Sequence, residues 1–133
     1  RQVNIESISV GATENPNVSR ITIIIDVASH DEVEQIIKQL NRQVDVIRVR
    51  DITDKPHLER EVILIKVSAP AEKRAELLAI IQPFRATVVD VAPSSITVQM
   101  TGNAEKNEAL LRVIRPYGIK NVARTGATGF TRD

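Results

Sequence analysis

Hydrophobic positions alternate along the chain between a period of two and a period of 3.6, and the switches fall at clusters of turn residues. Val3 and Ile5, followed by Ile8 and Val10, predict a strand whose parity slips once near Ser7, as a β-bulge slips it. Residues 11–19 have a loop composition of Gly, Asn, Pro and Ser. Ile21, Ile23, Ile25 and Val27 then alternate strictly, which predicts a second strand with one strongly apolar face. Ser29 and Glu32 form an S-x-x-E capping box. Val33, Ile36, Ile37 and Leu40 follow at helical spacing and mark one buried stripe. Val44, Val46, Ile47 and Val49 predict another strand, which completes a β-β-α-β segment.

Polar residues around Pro56 interrupt the periodicity, and 53–60 is expected to be a linker between domains at 1–52 and 61–133. Val62–Val67 is apolar at nearly every position and suits an interior strand covered on both faces. Pro70 suits the first turn of a helix. Leu77, Leu78, Ile81 and Phe84 mark that helix's inner face, and Pro83 should distort its last turn by driving Gln82 out of the α region. Strands are expected at Thr87–Val91 and Ile96–Met100 around a Pro93–Ser95 turn. Asn103 is placed to cap a helix through Leu110, Val113, Ile114 and Tyr117, Gly118 to end it, and Ile119–Arg124 to form the last strand.

The second segment is thus β-α-β-β-α-β, and the first would match it if one strand and one helix preceded it. The fold class expected is α+β: two ferredoxin-like units, the first incomplete (ββαβ) and the second complete. In such a unit the opening strand is central, so its absence would leave a slot between residues 21–27 and 44–50. Unbonded buried peptide groups cost about 1–3 kcal/mol each. Either about 25 residues before Arg1 belong to the native protein, at typical element lengths, or another chain supplies the strand. Right-handed crossovers are expected to join parallel pairings and to put the helices on one face of each sheet. The opposite face, carrying residues such as Ile8 or Ile24, would then be covered by self-association.

Composition narrows the function classes. Eighteen Lys and Arg against seventeen Asp and Glu give a net charge of +1 over 133 residues, without the basic excess expected of a nucleic-acid or anionic-membrane binder. No cysteine is present, which excludes thiolate chemistry and Cys-ligated zinc. No apolar run approaches the ~20 residues of a membrane span, and a cytoplasmic setting is expected. With three aromatic residues and no Trp, the core must be built from aliphatic side chains, and the strands matching an RNA-recognition platform carry no stacking ring.

Catalytic groups are not assembled by the sequence. His30 falls within a helix cap and His57 in the linker, and neither has a second ligand at metal spacing. Asp45 and Asp90, flanked by valines, suit solvated strand positions, and Ser94 and Ser95 form a turn without a nucleophile elbow. Asn4 stands at the start of a strand, where Asn has poor propensity. Its amide suits either a strand-initiating turn or contact with the ammonium or carboxylate of an amino acid.

Three runs, NIESISVG (4–11), NPNVSRITI (15–23) and EQIIKQLNRQVDVIRV (34–49), resemble the ACT domain of acetohydroxyacid (acetolactate) synthase small regulatory subunits. EREVILIKV (59–67), FRATVVDV (84–91), ITVQMTG (96–102) and VARTGATG (122–129) are similar to that family's C-terminal domain. The resemblance implies a non-catalytic chain that activates a large subunit and confers feedback inhibition by valine or another branched-chain amino acid. It implies no cofactor on this chain, since thiamine diphosphate, Mg and FAD belong to the catalytic partner. Paired ACT domains of a homodimer hold the effector in that family. One wall comes from the loop between the opening strand and helix, which has no counterpart here, and the other from the start of the next strand, matched by Asn4 and Ile5. Ser9, Gly11 and Gln35 match positions near the effector site. The alternative is a stand-alone amino-acid-sensing or oligomerisation module serving another partner.

Overall fold

The computed structural model describes residues 4–133; Val3, expected in the first strand, lies outside them. Two compact units are present. One runs to Leu58 and also takes in Gly129–Asp133, which the sequence assigned to the C-terminal domain, and the other spans Glu59–Thr128.

In the first unit, β1 (Asn4–Ala12) and β2 (Ser19–Asp26) form an antiparallel hairpin. The expected bulge is present: Ile5 lies opposite Ile25 and Ser7 opposite Ile24, leaving Glu6 as the additional residue. The connecting loop is held locally, with the Thr13 hydroxyl donating to the Val18 carbonyl at 2.8 Å and the Asn17 N–H donating to Asn15 Oδ1 at 3.0 Å. Helix α1 (His30–Asn41) starts as its capping box predicts. Ser29 Oγ accepts from the Glu32 N–H, while the Glu32 carboxylate reaches back to accept from the Ala28 N–H at 2.7 Å.

The strand expected at Val44–Val49 does not form. Residues 46–50 carry no regular structure, and Val44 and Ile47 are 98% and 79% exposed. The physical reason is the lack of a neighbour: β2 pairs only with β1 among the described residues, and no strand fills the place between β2 and this segment. An apolar alternation without a ladder partner has nothing to bond its peptide groups.

The second unit has the order β4-β5-β3-β6, built from β3 (His57–Ser68), β4 (Thr87–Val91), β5 (Ser95–Gly102) and β6 (Ile119–Arg124). A short β7 (Thr128–Thr131), not anticipated from the sequence, also pairs with β3. Because β3 begins at His57, it absorbs half of the expected linker. The pairs β3–β5, β3–β6 and β4–β5 are all antiparallel, so the helices cross over between strands that are not adjacent rather than joining parallel neighbours.

Helix α2 (Arg74–Ile81) is entered through a 3-10 turn at Ala71–Lys73, with Pro70 extended before it rather than inside the first turn. Pro83 does end the helix, but Gln82 keeps α-helical angles. The chain tightens instead into a 3-10 turn at Gln82–Phe84, and Arg85 closes it at a left-handed φ of 60°. Helix α3 (Ala104–Ile114) is capped by Asn103, whose Oδ1 accepts from the Lys106 N–H at 2.9 Å. The chain leaves α3 through a 3-10 turn and Gly118, whose φ of 101° is one that L side chains rarely adopt.

The aliphatic core lies between one sheet face and these helices. Ile63, Ile65, Val67, Ile96, Val98 and Met100 meet Leu77, Ile81, Leu110, Leu111 and Ile114. Full burial of such a side chain is worth about 1.5–3 kcal/mol. β3 is not covered on both sides as its composition suggested: Leu64 and Lys66 on its other face are exposed.

Candidate functional site

Residue pairing in the hairpin sorts the side chains onto two faces. Ile5, Ile8 and Val10 lie directly opposite Ile25, Ile23 and Ile21, and so form one continuous aliphatic face. The bulge creates it: without the additional residue, odd-numbered Ile5 and even-numbered Ile8 would point to opposite sides. This face is open. Ile5 is 53% exposed, Val10 66% and Ile21 59%, and no described residue of the first unit is buried. Ile8 and Ile24, expected together, are on opposite faces, because Ile8 pairs with Ile23.

The other face carries Asn4, Ser7, Ser9 and Gly11 opposite Asp26, Ile24, Thr22 and Arg20. Asn4 and Ile5 are therefore neighbours in sequence that present to opposite sides of the hairpin end. Asn4 is exposed, with its amide beside the Asp26 position. Asn4 and Gly11 stand at opposite ends of β1, about 20 Å apart at the usual rise per residue, so one amino-acid ligand does not span them. A Cβ added at Gly11 would meet nothing within 4 Å; the hairpin itself does not require glycine there. Gln35 is exposed on α1, off the half-buried stripe of Val33, Ile36, Ile37 and Leu40.

The remaining polar candidates are held by local structure. His30 is the exposed first residue of α1, and His57 Nδ1 lies 2.8 Å from the Lys55 carbonyl oxygen. Asp51 Oδ1 accepts from the Thr53 hydroxyl at 2.6 Å and the Thr53 N–H at 3.1 Å. The hydroxyl, then the amide, hold this carboxyl below its ordinary range. Asp45 and Asp90 are exposed, and the Ser94 carbonyl accepts from the Ala69 N–H. Among the described residues no group of three or more His, Cys, Asp or Glu side chains could hold a metal ion, and no helix is long and apolar enough to cross a membrane.

One polar cluster in the second unit escaped the sequence reading. Glu61, buried on β3, accepts from Arg124 on β6 at 2.7 Å and from Asn107 on α3 at 3.1 Å. Arg124 also reaches Glu108 at 3.2 Å, and the Glu61 hydrogen bond leads the contacts that hold its guanidinium charged. Its members are 46 and 63 residues from Glu61 in sequence, beyond the reach of any local pattern.

Comparison with known proteins places this geometry. Residues 60–133 match the family described as the small subunit of acetolactate synthase, and residues 1–48 match the AHAS small subunit-like ACT domain. The acetolactate synthase small subunit of Lactococcus lactis is 59% identical over 132 residues, covering 99% of this chain and 84% of its own length. That of Bacillus subtilis is 53% identical over 132 residues, covering 99% and 77%. The crystal structure of the Thermotoga maritima small subunit superposes with a TM-score of 0.85 at 32% identity, over 98% of this chain and 81% of that one.

Proposed function

Because this chain belongs to the acetolactate synthase small-subunit family, we propose that it is a regulatory, non-catalytic subunit that activates a large catalytic subunit and makes it sensitive to valine. The observation that carries this reading is the uncovered aliphatic face of the β1–β2 hairpin, with Asn4 and Ile5 at its end. A face of this kind suits closure by the same unit of a second copy, and a shared boundary gives an effector two chains to hold at once. Domains at 1–52 and 61–133 divide the work in this reading, the first sensing and the second building the assembly.

The chemistry fits a small aliphatic amino acid. The Asn4 amide offers donors and an acceptor to the ammonium and carboxylate, and Ile5, next on the strand, contributes to the same hairpin end from its aliphatic side. Ser9 and Gly11, farther along the strand, and Gln35 on α1 are further regulatory positions in this reading. Effector binding that favours one arrangement of the pair supplies a coupling free energy, typically 1–3 kcal/mol. Thiamine diphosphate, Mg and FAD belong to the catalytic partner, in the cytoplasm.

Calorimetric titration of the full chain with valine tests the site. Asn4→Ala is expected to weaken binding at least about tenfold, as loss of a charge-assisted hydrogen bond does; equal affinity would remove Asn4 from it. Mixing the chain with the large subunit is expected to raise acetolactate formation. Absence of a complex at micromolar concentration would point to a different partner.

A further inference from the structure

On the second unit, helix cover stops short of the β6 edge. Ile65 and Val122 lie opposite each other and share the helix side of the sheet, yet Ile65 is fully buried while Val122 is 38% exposed. β6 ends the strand order and pairs with β3 alone among the described residues, so a ledge runs along its outer side. The Glu108–Arg124 ion pair shows which side of α3 stands over this ledge. Arg112 and Arg115 follow Glu108 by four and seven residues, on the same side of the helix. One turn of α3 advances about 6 Å, and so do two residues of β6. Both steps lead toward the turn joining α3 to β6, so Arg112 comes abreast of Val122, and Arg115 of the strand's start.

At that start the irregularity between Lys66 and Val67 adds Lys120 as an unpaired residue. Arg112, Arg115 and Lys120 are exposed, and none has a side-chain hydrogen bond or ion pair among the described residues. The macrodipole of α3 accounts for cations at the helix end, but not for Lys120 on the strand beside them. The Glu59–Thr128 unit as a whole holds ten Lys and Arg against seven Asp and Glu, so the excess is not neutralised nearby. The edge does not invite another strand. Lys120 interrupts its ladder, and the Asn121 amide oxygen already accepts from the Val122 N–H at 3.0 Å. A partner is therefore met through side chains, with anions at the rim and an apolar group on Val122.

We propose that this ledge is a docking surface for an acidic patch of the large catalytic subunit, with Arg112, Arg115 and Lys120 as its cationic rim and Val122 as its apolar floor. The inference rests on the reading of this chain as a regulatory subunit, and assigns the second unit a contact of its own with the catalytic partner.

The test mixes the full chain with the purified large subunit, following complex formation by ultracentrifugation and acetolactate formation by rate. Arg112→Glu/Arg115→Glu should raise the chain concentration needed for half-maximal complex formation at least about tenfold at low salt, because it sets like charge against like. Lys120→Glu, which lies outside α3, should raise it about three- to fivefold, so a weakened helix end cannot mimic the result. Lys73→Glu/Arg85→Glu, at exposed cations elsewhere on the unit, changes net charge equally and should stay within about twofold of the unchanged chain. Arg112→Lys/Arg115→Lys should behave as the unchanged chain. Added salt should weaken the unchanged chain's complex more steeply than that of the reversed variant. A large subunit that neither binds nor responds to the unchanged chain removes the regulatory reading itself. A complex that forms, but answers to the rim reversals no more than to the Lys73→Glu/Arg85→Glu control, overturns the ledge alone.

Discussion

At the scale of single residues, short-range chemistry is the most readable part of this protein. Ser29 and Asn103 accept from helix-start N–H groups as their spacing predicts, and Glu32 reaches back past the cap to the Ala28 N–H. Asp51 with Thr53 was missed because Asp-x-Thr is common in loops of every kind, yet it makes a testable point. The depressed carboxyl is stabilised above its ordinary value of 3.8, and that contribution is lost as the pH falls through the lower folded value. Carboxyl NMR titration should therefore find Asp51 below the ordinary Asp range, and Thr53→Val should bring it back most of the way. Glu61 gives a larger effect. Removing it by Glu61→Ala takes the buried carboxylate from Asn107 and Arg124, leaving Asn107 the backbone carbonyl of residue 61 and Arg124 the more exposed Glu108. The expected loss is about 2–3 kcal/mol in chemical denaturation, less than for a fully buried pair because Arg124 is partly exposed.

At the scale of elements, what the sequence shows depends on whether an element's partner is close in the chain. The bulge at Glu6 is legible because Ile5 and Ile8 cannot otherwise share a face. Val44–Val49 has the same kind of alternation as β2 yet forms no strand, since strand formation belongs to the pair and not to the segment. β7 is four residues long, too short to impose a period. The Val62–Val67 run of β3 is apolar at nearly every position and suggests cover on both faces, but only one of its faces has helices against it. Its two faces should respond differently to truncation. Ile65→Ala is expected to cost about 2–5 kcal/mol, as fully buried aliphatic truncations do. Leu64→Ala, on the exposed side, should cost less than about 1 kcal/mol in a chain kept dilute. Urea unfolding of the two variants separates these outcomes.

At the scale of the whole molecule, the candidate site is the part least legible in the sequence. Asn4 and Ile5 could be named, but not that they present to opposite sides of the hairpin, which follows from the pairing register. Light scattering provides the corresponding check: Ile8→Glu should lower self-association through the first unit, while the unfolding midpoint of the second unit stays within a degree or two. Every buried side chain among the described residues falls between Glu61 and Ala127. The two halves consequently answer to different variables. One carries its own cohesion at any concentration, whereas the other gains its protection from whatever molecule covers it, by mass action. Dilution should thus work on the first half much as urea works on the second, loosening residues 4–58 in hydrogen exchange while the 59–128 amides stay protected.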